Sequence, residues 1–206
     1  MYAQLLIAAS FAVAAYQDVR ERAVSDLVWV PALAGIVLVF YSMFSTADYA
    51  SLEFEALRLV LFGGVGFAFV YLGMLGEADL IALVFFAADP YSIGIFIAFV
   101  GVVAVLVPHV IYLLATGEGR GVHIIPVERF LKEQKWIPKA TILDGVRTEV
   151  NPDVNVARDE VEAKQKEGMT VESTYGVPDV LYFGAGYIFY IVYLIVFNYG
   201  VFASLP

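Results

Sequence analysis

Six apolar runs alternate with short polar breaks along this chain: Tyr2 to Tyr16, Leu27 to Phe44, Ala56 to Leu75, Leu80 to Ala88, Ser92 to Ala115 and Val177 to Asn198. Four of these are long enough, or nearly so, to cross a hydrocarbon core of ~30 Å at 1.5 Å per residue; the first would make about 22 Å of helix and the fourth only about 14 Å. The short fourth run follows an acid, Asp79. A half-length helix there places that acid and a non-helical turn at membrane depth, where such backbone is tolerated only inside protein or beside a water-filled cavity. The pattern predicts an all-α polytopic membrane protein with six transmembrane helices and a recessed Asp79. The first run lacks a positive n-region and a small-residue cleavage site, so it reads as a mature helix and not as a signal peptide.

Residues 117–176 break the pattern. Gly117 to Gly176 is the only soluble stretch, with β-prone segments at Val122 to Val127 and Ala140 to Val150, a helix-like Glu128 to Trp136, and a second helix over Asn155 to Glu167. Its eleven acids and nine bases are interspersed, as on an ordinary solvated surface. The organisation expected is therefore a membrane domain of five helices over residues 1–116, a small cytoplasmic α+β insert over 117–176, and a last transmembrane helix over 177–206.

Orientation follows from the bases. Arg20 and Arg22 lie after the first run and nine more bases lie in the insert, which leaves Arg58 as the twelfth. With six crossings and both termini outside, the two basic segments and the Gly76 to Asp79 turn all fall on the cytoplasmic side, as the positive-inside rule asks.

Composition agrees: 61% hydrophobic residues, 15% aromatics and a mean hydropathy of +0.79 lie far outside the range of soluble domains. A net charge of -9 argues against a nucleic-acid partner. The absence of cysteine excludes disulfides, thiolate zinc sites and cysteine nucleophiles, and two histidines, His109 and His123, make histidine-rich metal ligation unexpected. No cofactor is called for.

The candidate chemistry rests on Asp18 and Asp79, because acids near hydrocarbon are rare without a function. Peptide hydrolysis by two carboxylates needs one ionised group to take a proton from water and one protonated group to polarise the scissile carbonyl. Both aspartates are expected at the cytoplasmic face, so a shared site is topologically allowed. The plainer readings are an interfacial helix end with local ion pairing for Asp18 and an N-cap for Asp79. Asp26 reads as an N-cap, Glu77, Asp89 and Asp179 as turn or helix-end residues, and His109, after Pro108, as a buried histidine bonded to a carbonyl that the proline frees.

Asp18-Val19-Arg20-Glu21-Arg22-Ala23-Val24-Ser25-Asp26 resembles the Asp-x-Arg-x-Arg-x-aliphatic-x-Asp/Asn signature after the first helix of archaeal preflagellin peptidases and type IV prepilin peptidases. Gly76-Glu77-Ala78-Asp79 resembles the Gly-x-Gly-Asp motif of their wider class of intramembrane aspartyl proteases, with Ala78 in place of the second glycine and Glu77 as an added carboxylate. The spacing of the two aspartates, the six-helix layout and the soluble insert before the last helix extend the resemblance over the whole chain. Gly176-Val177-Pro178 is similar to the proline-containing turn that opens the last helix in this group. Lack of cysteine separates the chain from bacterial prepilin peptidases, which usually carry a tetracysteine loop and a methyltransferase activity, and favours the archaeal branch.

The resemblance implies a multi-pass cell-membrane endopeptidase with catalytic Asp18 and Asp79, supported by the motif residues Gly76, Glu77, Ala78, Arg20 and Arg22. It would remove the short basic leader of a preflagellin or type IV prepilin-like precursor at the cytoplasmic face. Its partners would be that precursor and the lipid bilayer, with the oligomeric state left open. Two other classes compete: a small ion- or proton-coupled transporter or channel in which the same acids are ion ligands at a broken helix, and a degenerate, non-catalytic assembly scaffold. No pair of similar halves or inverted repeat accompanies the transporter reading.

Overall fold

The computed structural model describes residues 2–72, 75–88, 94–151 and 154–198. Asp89, read above as a turn residue before Pro90, lies outside them. The chain is mostly helical with a small sheet, and its described residues divide into two compact units. One comprises Met1–Asp18, Val24–Leu106 and Asp179–Pro206; the other comprises Val19–Ala23 and Val107–Pro178.

All six apolar runs become helices: α1 Tyr2–Glu21, α2 Val30–Ser45 after a short 3-10 turn at Asp26–Trp29, α3 Tyr49–Tyr71, α4 Glu77–Ala87, α5 Gly94–Thr116 and, after the insert, α8 Asp179–Asn198. Among the described residues four helical stretches are long and apolar enough to cross a membrane: Asp26–Ser45, Tyr49–Tyr71, Gly94–Thr116 and Asp179–Phe197. α1 and α4 are not among them. α4, at 11 residues, is only about 16 Å long, so the short fourth run forms a helix of about half the ~30 Å hydrocarbon thickness.

Several boundaries move for physical reasons. α3 starts at Tyr49, earlier than the apolar run suggests, because Asp48 accepts the Ser51 N–H at 3.2 Å and caps it. The acids and the base of its first turns conceal that start: Glu55 and Arg58 are both buried and paired with each other on one face. Arg58 thus sits inside the helical unit. Asp26 is the first residue of the 3-10 turn and not an N-cap; that position falls to Ser25, which makes no side-chain cap bond.

The helical unit is held by small residues and aromatic rings. α1 buries Ile7, Phe11, Ala14 and Asp18 on one helical stripe. Ser10 Oγ accepts the Ala32 N–H of α2 at 3.0 Å, answering an amide of the first turn that has no intrahelical partner. Rings link four elements: Phe85 of α4 stacks on Trp29 at 5.3 Å, Trp29 meets Phe11 edge-on at 5.5 Å, and Phe11 stacks on Tyr187 of α8 at 5.3 Å. α8 approaches its neighbours through glycines. A Cβ on Gly184 would stand 3.1 Å from the Phe11 carbonyl oxygen of α1, and one on Gly186 would stand 2.5 Å from the Ala98 carbonyl oxygen of α5.

The second unit contains an antiparallel sheet in the order β1-β4-β2-β3, with β1 His123–Pro126, β2 Trp136–Leu143, β3 Val146–Glu149 and β4 Thr170–Tyr175. Two helices, α6 Val127–Lys132 and α7 Val154–Ala163, pack against it over Ile125, Phe130, Trp136, Val161, Met169 and Val171. The stretch Ala140 to Val150 is a hairpin turned at Asp144-Gly145, both with positive φ (53° and 78°), as a two-residue turn of that twist requires. The helix expected over Glu128 to Trp136 stops at Lys132: Glu133 is extended, its carboxylate accepts from Arg129 and the Trp136 indole, and Trp136 joins β2 opposite Tyr175. The helix expected to reach Glu167 ends at Ala163, because Lys164 to Gly168 are exposed and offer no apolar face to bury. The central strand β4 has no counterpart in the sequence reading. Its inward positions are Val171 and Ser173, and a buried serine breaks the apolar alternation that marks a strand.

Candidate active site

Asp18 and Asp79 both belong to the helical unit. Asp18 lies in the last turn of α1, which runs three residues past it to Glu21. It is 8% exposed, and its Oδ2 accepts the Leu181 N–H from the first turn of α8 at 3.4 Å. That bond answers one of the orphan amides of a helix start and sets a carboxylate where the helix dipole is positive.

Asp79 is the third residue of α4, not the N-cap, and is half-buried. Its Oδ2 accepts the Gly76 N–H at 3.0 Å, the backward-reaching half of a capping box. Gly76 keeps φ at -80°, so its lack of a side chain serves space and not backbone freedom: a Cβ there would stand 3.1 Å from Asp79 Oδ2. Ala78 is part-buried against the helical core, and Glu77 is exposed.

α8 is the common partner of the two helices that carry the acids. α1 meets it through the Asp18 bond to Leu181 and the Phe11–Tyr187 stack, α4 through Phe86 and Phe183, whose ring centroids are 5.4 Å apart. The turn after α1 is closed by Gln17 Oε1, which accepts the Ser25 N–H at 3.0 Å, so the chain reverses directly beside Asp18. Gln17 was not singled out by sequence; a glutamine one residue before the signature carries no sign of that role.

The arginines of the signature diverge. Arg20 is exposed in the last turn of α1, while Arg22 belongs to the other unit, half-buried with φ at 55° and its guanidinium over the Tyr175 ring. His109 is half-buried, not fully so, and its Nε2 lies 3.1 Å from the Tyr175 hydroxyl. Asp179, read as a helix-end residue, opens α8. No group of three or more histidine, cysteine or acidic residues able to hold a metal ion occurs among the described residues. No protein family, curated protein or solved structure matches the chain in comparison.

Proposed function

We propose that this chain is a membrane aspartyl endopeptidase in which Asp18 and Asp79 are the catalytic pair. It crosses the membrane six times, with α1 and the half-length α4 completing the four long helices, and its acids face the cytoplasm. The substrate is a precursor of the preflagellin or type IV prepilin kind, cut between its short basic leader and its apolar helix. The observation that carries this reading is the placement of the two carboxylates: Asp18 is buried and Asp79 half-buried at the ends of helices that share α8, inside one apolar unit. The ordered signatures around Asp18 and Gly76 to Asp79 supply the class of reaction.

In that reaction one carboxylate takes a proton from the attacking water while the other, protonated, donates to the scissile carbonyl, and the two exchange roles as the amine leaves. A chain of net charge -9 attracts a basic leader. A second reading, a small ion- or proton-coupled transporter, is favoured by one observation, the Glu55–Arg58 pair buried within α3. One experiment separates the two. Membranes bearing the native chain, Asp18→Asn, Asp79→Asn or the double variant are incubated with a precursor carrying a basic leader, and leader loss is followed by gel mobility. Each single variant should abolish cleavage and the double variant should be no worse, since groups acting as a unit are non-additive. Cleavage by a folded single variant would remove the peptidase assignment and bring the transporter forward.

A further inference from the structure

Arg22 follows the last residue of α1 in the left-handed backbone region, with φ at 55°, which a residue carrying a Cβ occupies only under constraint. Its guanidinium lies 5.8 Å from the centroid of the Tyr175 ring, and the Tyr175 hydroxyl lies 3.1 Å from His109 Nε2. These residues come from three separate stretches of chain, yet all belong to the same compact unit. The Nε and Nη1 atoms of Arg22 are enclosed, and among the described residues neither meets a hydrogen-bond acceptor. Enclosed guanidinium donors without an acceptor are unfavourable, and an anion would fill them.

We propose that Arg22, with the Tyr175 hydroxyl and His109 beside it, forms a binding site for one phosphate group, supplied by an anionic membrane lipid or free in solution. Phosphate fits better than a carboxylate because its tetrahedral oxygens accept from donors that point in different directions. Arginine matches it with several fixed N–H groups and a charge that is never lost. The inference does not depend on the peptidase reading, and its test reads binding alone.

The whole protein in a neutral detergent is unfolded by heat in the presence of increasing phosphatidylglycerol, of inorganic phosphate, or of chloride at matched ionic strength. One phosphate source at least should raise Tm in a saturable way that chloride does not reproduce. Arg22→Gln should abolish that rise, whereas Arg120→Gln, which removes an exposed cation of the same unit, should keep it. A response to phosphatidylglycerol alone assigns the site to a lipid headgroup; a response to inorganic phosphate assigns it to a soluble ligand. No saturable response to either, or an Arg22→Gln response equal to the native one, overturns the proposal. Should Arg22→Gln fail to fold, Tyr175→Phe decides: it keeps the ring under the guanidinium but removes the hydroxyl, and should raise the half-saturating concentration at least threefold, while native-like binding would overturn the site.

Discussion

Asp18 Oδ2 accepts the Leu181 amide at 3.4 Å, so a carboxylate from the end of α1 closes the first turn of a helix 163 residues later. The same side chain therefore has a structural role and a proposed chemical one, and two substitutions tell them apart. Asp18→Ala leaves the Leu181 amide without its acceptor and should cost about 1 kcal/mol, as loss of a cap does. In a chain of this size that lowers Tm by about 2–4 °C. Asp18→Asn keeps an oxygen in place and should unfold at the native temperature, yet cleave no precursor. Equal destabilisation by the two, read by thermal unfolding in detergent, would contradict the capping geometry.

Gly76 and Ala78 should respond in opposite ways. Gly76→Ala places a Cβ 3.1 Å from Asp79 Oδ2, so the carboxylate must shift and cleavage should fall. Ala78→Gly removes a methyl from the start of α4 and should leave cleavage intact or raise it. Ala78→Phe forces bulk against the core that Ala78 touches and should cut activity sharply. Initial rates on one precursor, compared at equal amounts of folded protein, check all three.

The close approach of α5 and α8 rests on Gly186. A Cβ there would meet the Ala98 carbonyl oxygen and a Val102 methyl, each at 2.5 Å, so Gly186→Val should destabilise by about 1–3 kcal/mol through overpacking. Gly64 in α3 has nothing within 4 Å of such a Cβ, and Gly64→Ala should be neutral or stabilising by up to about 1 kcal/mol through helix propensity. Thermal unfolding of the pair gives the comparison, and similar losses in both would mean that the α5–α8 contact is looser than the glycine implies.

Glu133 gives the sheet-bearing unit an acid dependence. Its hydrogen bond to Arg129, with a second from the Trp136 indole, holds the carboxyl down at about 2 from 4.5. A carboxyl depressed in the folded state contributes stability above its unfolded pKa and loses it as pH falls through the folded one. The advantage of the native chain over Glu133→Gln should thus be constant above about pH 4.5 and vanish by about pH 2. Thermal unfolding of both across that range tests it, and a gap unchanged at pH 2 would rule the linkage out.

The six helices of the apolar runs, a stretch of mixed strand and helix before the last of them, and the two aspartates at helix ends were legible in the sequence, because long apolar runs and the acids that interrupt them report directly on the cost of burying polar groups. The hairpin at Asp144-Gly145 was legible as well, because Asp-Gly is the signature of a two-residue turn with positive φ, although Ala140 to Val150 was read as one β-prone segment. What the sequence could not carry was every feature decided by residues distant in the chain. Ser173 is an inward strand residue only because β4 lies between β1 and β2; Trp136 belongs to a strand and not to the helix before it only because it pairs with Tyr175 of β4; Asp18 meets an amide from α8. Arg22 takes a left-handed backbone beside Tyr175, a conformation for which its residue type has no preference. Hydrophobic pattern acts locally and survives in any fold that buries the same runs, whereas hydrogen bonds and ring contacts between distant residues exist only once the tertiary structure has brought their partners within reach.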